Sequence, residues 1–173
     1  MNRTTDTPFS LLRFHKRFID AVCSFVEDAR TLERIGEEKG ERLTPSILDQ
    51  WISRAEEAFV LVVDSELVGF ATIGYKEWDF PPGYCEVGHL IVKEDRRRRG
   101  YGSILILCLL DEIRKRGFTY AAGRVCVGNE PSQLLLKKQG WRRTKRPEFI
   151  HDNRFEWYYR ECQAKKKQNS PSS

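Results

Sequence analysis

A chain of 173 residues, 40% hydrophobic and 32% charged, is long enough to bury a core. It holds no run of about eighteen apolar residues and no leader-type apolar segment near its start, which excludes a spanning helix and sets the expectation of a soluble, cytoplasmic protein. Its net charge of +5 conceals an asymmetry: residues 1–85 carry 10 Lys/Arg against 15 Asp/Glu, and residues 86–173 carry 20 against 10. A polyanion therefore belongs with the second half, and a cationic partner with the first.

In chain order, a strand is expected at Phe9 to His15. Phe18, Val22, Phe25, Val26, Ala29 and Leu32 then follow the spacing of one helical face, which predicts an amphipathic helix ending near Glu37 to Gly40. Thr44-Pro45 supplies an N-cap and a proline at the first helical position for a short helix to about Ala55. Phe59 to Val63 and Leu67 to Tyr75 are rich in β-branched and aromatic residues and flank Asp64-Ser65-Glu66, a hairpin pattern. Pro81-Pro82-Gly83 interrupts the chain before a third strand, Tyr84 to Val92.

A helix at Tyr101 to Arg116 and a strand at Thr119 to Val127 complete a crossover, which makes these two strands parallel. Asn129-Glu130-Pro131-Ser132 opens another helix that stops at Gly140. Trp141 to Lys145 and Arg154 to Arg160 form a final strand pair about Asp152-Asn153. The order predicts one mixed α/β domain over residues 1–162, followed by a basic, disordered tail at 163–173. The five cysteines, Cys23, Cys85, Cys108, Cys126 and Cys162, are odd in number and lack a C-x-x-C pair, as expected of reduced thiols.

Between the third strand and its helix lies Arg97-Arg98-Arg99-Gly100-Tyr101-Gly102-Ser103. The first amides of a helix have no intrahelical acceptor and sit at the positive end of its dipole, so a strand, a glycine turn and a helix start make an anion site. Basic runs also bind nucleic-acid backbones, but this one has no interleaved aromatic platform beyond Tyr101, so a nucleic-acid partner is not expected.

Arg97-x-x-Gly100-x-Gly102, in that setting, resembles the acyl-CoA signature of the GNAT superfamily of N-acetyltransferases. The preceding Leu90-Ile91-Val92, the next strand, Asn129 and the closing Leu135-x-x-x-x-Gly140-Trp141 match the family's order from about Phe59 to Trp141. The resemblance implies an α/β fold with antiparallel N-terminal strands, a splayed parallel central pair, helices on both faces and a coenzyme-binding core at about 84–141. It places the coenzyme A pyrophosphate on Arg97, Arg98, Arg99, Gly100, Tyr101, Gly102 and Ser103, and the pantetheine arm and acetyl group on the backbone of Leu90, Ile91 and Val92. Asn129 stands at the mouth of the splayed pair or simply caps its helix; both readings stand.

The implied activity is transfer of an acetyl group from acetyl-CoA to a primary amine, without a metal. An alkylamine of pKa about 10 is mostly protonated at neutral pH, so a base must take its proton. Glu86, six residues before Val92, resembles the family's glutamate base. His89 is the alternative, and in a regular strand the two lie on opposite faces, so only one can meet the acceptor. A bulge, frequent here in the family, would change that parity.

The backbone amide of Val92 is expected to polarise the thioester carbonyl. Leu136 stands where the family commonly places a tyrosine general acid. The thiolate then leaves unassisted or takes a proton from Tyr101, Ser103, Cys126 or Tyr158. The acceptor, a cationic small molecule or a peptide or protein amine, is expected over the N-terminal helices and the Trp78-Asp79-Phe80-Pro81-Pro82 loop. A homodimer is a further implication of the resemblance. The alternative function is a non-catalytic module that senses acyl-CoA or binds RNA or protein, favoured by Leu136 and the basic second half.

Overall fold

The computed structural model describes residues 9–36, 39–75, 82–145 and 153–162. Its strands form one seven-stranded sheet in the order β1-β2-β3-β4-β5-β7-β6. They are β1 (Phe9–Arg13), β2 (Glu57–Val63), β3 (Glu66–Gly74), β4 (Tyr84–Val92), β5 (Tyr120–Cys126), β6 (Arg142–Thr144) and β7 (Phe155–Glu161). Each neighbouring pair is antiparallel except β4 and β5, which the crossover helix α4 (Tyr101–Lys115) makes parallel. The expected α/β architecture is therefore the one found. The expected final strand pair forms between β6 and β7, with β7 inserted against β5.

Alternation along the strands builds two cores. On one face, Leu61, Ala71, Ile73, Cys85, Val87 and Ala121 pack under α4 and α5 (Glu130–Lys138), through Leu105, Ile106, Leu109, Ile113 and Leu136. On the other, Ala58, Val60, Phe70 and Ile91 lie under Val22, Leu32, Leu48 and Trp51 of α1 (Ile19–Cys23), α2 (Ala29–Gly36) and α3 (Pro45–Arg54). The Thr44 hydroxyl caps α3 by accepting from the Ile47 amide at 3.3 Å.

The single amphipathic helix expected from Phe18 onward is instead a 3-10 turn, Lys16–Phe18, followed by α1 and α2. Ser24 turns its hydroxyl back onto the Ala21 carbonyl at 2.7 Å, and Asp28 starts a new helix by accepting from the Thr31 amide at 2.8 Å. Phe25 and Val26, between the two pieces, still enter the core, so the apolar spacing follows burial across a break rather than one helix. Glu37, where that helix was to end, lies outside the described residues.

Arg116 closes α4 onto the sheet: its Nη2 lies 2.7 Å from Glu57 and its Nη1 2.8 Å from Glu112. Among the described residues no helix is long and apolar enough to cross a membrane.

Leu109 is fully buried in the centre of α4. Leu109→Ala should lower unfolding free energy by about 2–5 kcal/mol, read as a lower urea midpoint at unchanged slope.

Candidate active site

β4 and β5 pair only at Tyr84↔Tyr120, Cys85↔Ala121 and Glu86↔Ala122. Beyond these the strands diverge, although β4 runs on to Val92 and β5 to Cys126. The divergence coincides with a bulge in β4. Phe70 pairs with Ile91 but Thr72 pairs with Gly88, so β4 carries one residue more than β3, and His89 sits in the left-handed region at φ 48°. An extra residue bends a strand and increases its twist, which carries the end of β4 away from β5.

The resulting cleft is walled by Val87, Leu90, Ile106, Leu135, Leu136 and Trp141. Polar side chains reach it from Arg34, His89, Arg124, Asn129 and Ser132. Trp141 is buried and its indole N–H has no acceptor among the described residues.

Backbone direction at the end of β4 follows from its pairing with β3. The Lys93 amide donates to the Val68 carbonyl at 2.9 Å, so alternation turns the Val92 amide and carbonyl away from β3, onto the open edge. Ile91, one residue earlier, is turned toward β3, and its side chain lies in the core under the N-terminal helices. The Arg97 Nε donates to the Val92 carbonyl at 3.1 Å, tying the arginine run to the strand end.

That run divides in function. Arg96 joins Lys93 on the Glu66 carboxylate, the lysine at 2.8 Å, and so anchors the loop to the β2–β3 hairpin. Arg97, Arg98 and Arg99 are exposed. Arg98 and Gly100 both have positive φ, at 64° and 87°, and Gly100 directly precedes α4. Gly102 admits α5: a Cβ there would lie 3.0 Å from Leu135 Cδ2. The amides of Tyr101, Gly102 and Ser103 open α4 without an intrahelical acceptor. Turns of this kind, followed by a helix start, present N–H groups to an anion.

On the face toward the N-terminal helices stand the titratable groups. Glu86 occupies the last paired position of β4, with Oε1 3.4 Å from Arg124 Nε. Its partner Arg124 lines the cleft and stacks against the rings of Phe155 and Trp157 at 5.4 and 5.8 Å from their centroids. The carboxylate of Glu56 lies close by: a Cβ built on Gly74 would be 3.4 Å from Glu56 Oε2 and 3.9 Å from Glu86 Oε2.

His89 stacks on Trp51 with ring centroids 4.4 Å apart, and its Nδ1 shares a 2.9 Å hydrogen bond with Thr72 Oγ1. Burial, with Arg124 and Arg54 adding repulsion, pushes its pKa down to about 3. The bulge brings Glu86 and His89 to one face of the sheet, the one toward the N-terminal helices, so the strict alternation expected of the strand does not hold.

Asn129 caps α5 by accepting from the Ser132 amide at 3.4 Å and also lines the cleft. Of the four proton donors considered, Cys126 directs its thiol to the Arg34 carbonyl at 3.2 Å. Tyr158 donates to Glu156 at 3.1 Å, and burial beside that carboxylate raises its pKa. Tyr101 and Ser103 lie in the first turn of α4. The Trp78 to Pro81 part of the expected acceptor loop falls outside the described residues. Sequence reasoning missed Arg34 and Arg124, because only the fold brings α2 and β5 to one cleft. Among the described residues no three His, Cys, Asp or Glu side chains cluster as a metal site would require.

A mixed sheet whose parallel central strands part above a glycine turn and a helix start defines the acetyltransferase class of α/β proteins. The chain belongs to the acetyltransferase (GNAT) family, whose model matches residues 22–141. A domain from Methanocaldococcus jannaschii is similar in structure at TM-score 0.73 and 16% identity, over 90% of this chain and 99% of that one. Spermidine N-acetyltransferase from Vibrio cholerae, solved with CoA and spermine, is similar at TM-score 0.69 and 16% identity, over 88% and 95% of the two chains. The ribosomal-protein-S18-alanine N-acetyltransferase of Escherichia coli is similar at TM-score 0.65 and 15% identity, over 93% and 98%. Comparison with curated protein sequences gives no significant match.

A histidine held neutral by burial binds fewer protons than its unfolded counterpart, whose pKa is about 6.5. Stability should therefore fall as pH drops from about 6.5 toward 3, and His89→Gln should flatten that slope by up to about 1.4 kcal/mol per pH unit in urea titrations.

Proposed function

We propose that this protein is an acetyl-CoA-dependent N-acetyltransferase that acts by direct attack of a primary amine on the thioester. The support is the continuous path from the open edge of β4 to the glycine turn at the start of α4, in a chain of this family. The pyrophosphate lies on the amides of the turn from Arg97 to Ser103, with the guanidinium groups of Arg97, Arg98 and Arg99 around the phosphates. The pantetheine arm runs along the open edge at Leu90 to Val92, past Asn129.

In the reaction the amine nitrogen bonds to the thioester carbon and the C–S bond breaks. The Val92 amide, turned onto the open edge, stabilises the carbonyl oxygen as it gains charge. Glu86 takes the proton lost by the attacking nitrogen. His89, whose neutral imidazole is fixed by Thr72 and Trp51, holds the bulge in place and is too weak a base to take the amine's proton. Leu136 provides no acid, and the thiolate departs without one, which a thiol pKa of about 8.5 permits. A primary amine as acceptor fits the neighbouring carboxylates of Glu86 and Glu56.

Leu136 in the cleft wall also favours a second reading, a domain that binds acyl-CoA without turnover. Acetyl-CoA stabilisation of thermal unfolding together with coenzyme A release across an amine panel separates the two.

On the catalytic reading acetyl-CoA raises Tm, and Gly100→Val, which forces a branched side chain into φ 87°, abolishes most of that rise. Glu86→Gln should lower kcat/KM by about 10²-fold at neutral pH, with the loss shrinking as pH rises and the amine deprotonates itself. An unchanged pH-rate profile would reject Glu86 as the base.

A further inference from the structure

The charges at the acceptor side of the cleft are mixed rather than acidic. Arg124 projects from β5 beside Glu86, held by Phe155 and Trp157. Arg34 reaches the same cleft from α2, and that end of the helix is fixed because its carbonyl accepts the Cys126 thiol. Arg34 makes no ion pair with any described residue. Arg54, on α3, adds a third positive charge that is felt at His89. Glu86 and Glu56 offer an amine its counter-charge, and the arginines beside them offer a place for an anion.

We propose that the acceptor is an amine carrying its own carboxylate one carbon away, an α-amino acid, whose carboxylate is bound by Arg124 and Arg34 while its amine faces Glu86. This rests on the acetyltransferase reading above and names its substrate class. Spacing supports it. The carboxylate of Glu86 and the guanidinium of Arg124 are 3.4 Å apart, and in an α-amino acid the nitrogen and the nearer carboxylate oxygen are separated by about 3 Å. The protein's ion pair is thus a complement, group for group, of a zwitterion: the incoming ammonium takes the place of Arg124 at Glu86, and the incoming carboxylate takes the place of Glu86 at Arg124. Arginine suits the second role because its planar fork matches a carboxylate with two parallel bonds. The stacking on Phe155 and Trp157 keeps the guanidinium in position while its partner is exchanged. Arg34, with no carboxylate of its own among the described residues, supplies the surplus positive charge that makes the exchange favourable for an anion. A peptide N-terminus lacks this carboxylate, since its first carbonyl is an amide, and a polyamine brings only positive charge.

The test is coenzyme A release at saturating acetyl-CoA with the twenty L-amino acids, and, for the best of them, its carboxamide and the decarboxylated amine, beside spermidine and a short peptide. The free amino acid should exceed its carboxamide and its decarboxylated amine on the order of 10²-fold in kcat/KM, because the analogues bring no carboxylate to Arg124 and Arg34. Arg124→Gln and Arg34→Gln should each raise the acceptor KM about 10-fold, with the acetyl-CoA KM and the acetyl-CoA shift in Tm unchanged. Equal rates for acid and carboxamide, or a preference for spermidine or peptide, overturn the amino-acid assignment and leave the acetyltransferase reading intact. A change confined to the acetyl-CoA KM overturns it too, by assigning the arginines to the coenzyme. No turnover on any amine overturns both readings, and the Tm shift then separates a binding module from a chain that does not bind acetyl-CoA.

Discussion

Two parallel strands that start paired and then separate leave facing rows of backbone N–H and C=O groups without cross-strand partners, and buried groups of that kind must find partners elsewhere. β4 and β5 separate after Glu86 and Ala122, and the cleft, its walls and its polar rim all follow from that separation. The bulge at His89 bends β4 out of register with a straight ladder. The strand arrives at the turn before α4 with the Val92 backbone facing the opening. The cleft is then a consequence of backbone geometry more than of any one side chain.

The bulge is held from three sides. Trp51 stacks on the imidazole, Thr72 bonds it, and Gly88 leaves only 3.0 Å between its absent Cβ and the Thr72 hydroxyl. A neutral histidine in this position costs stability at low pH and gives a fixed geometry in exchange. The residue type with the most convenient ordinary pKa is thus held neutral here by burial. The carboxylate three residues earlier, Glu86, lies 3.4 Å from Arg124, and Arg124 itself lines the cleft.

The arginine run shows how a sequence motif is divided once folded. Arg96 is committed to Glu66 and holds the loop against the hairpin, while Arg97 ties back to Val92 and Arg98 and Arg99 stay exposed before the helix start. Four consecutive identical side chains thus do three different things, according to where the turn points each one.

Much of this was legible in the residues themselves. Strand alternation, the Thr44-Pro45 cap, the crossover and the Gly100-x-Gly102 turn are local, set by periodicity and by backbone conformations that few residues tolerate, and they marked most of the elements, the parallel central pair and the glycine turn before α4. Tertiary structure alone decided the rest. Apolar spacing from Val22 to Leu32 could not reveal the break between α1 and α2, because burial imposes the same spacing on a broken helix. Strand parity placed Glu86 and His89 on opposite faces, and only pairing with β3 showed the extra residue that puts them together. Arg34 and Arg124 are ninety positions apart in sequence and meet at one cleft because α2 crosses the ends of β4 and β5. Contacts between elements distant in the chain have no local signature, so the charge at the cleft belongs to the fold.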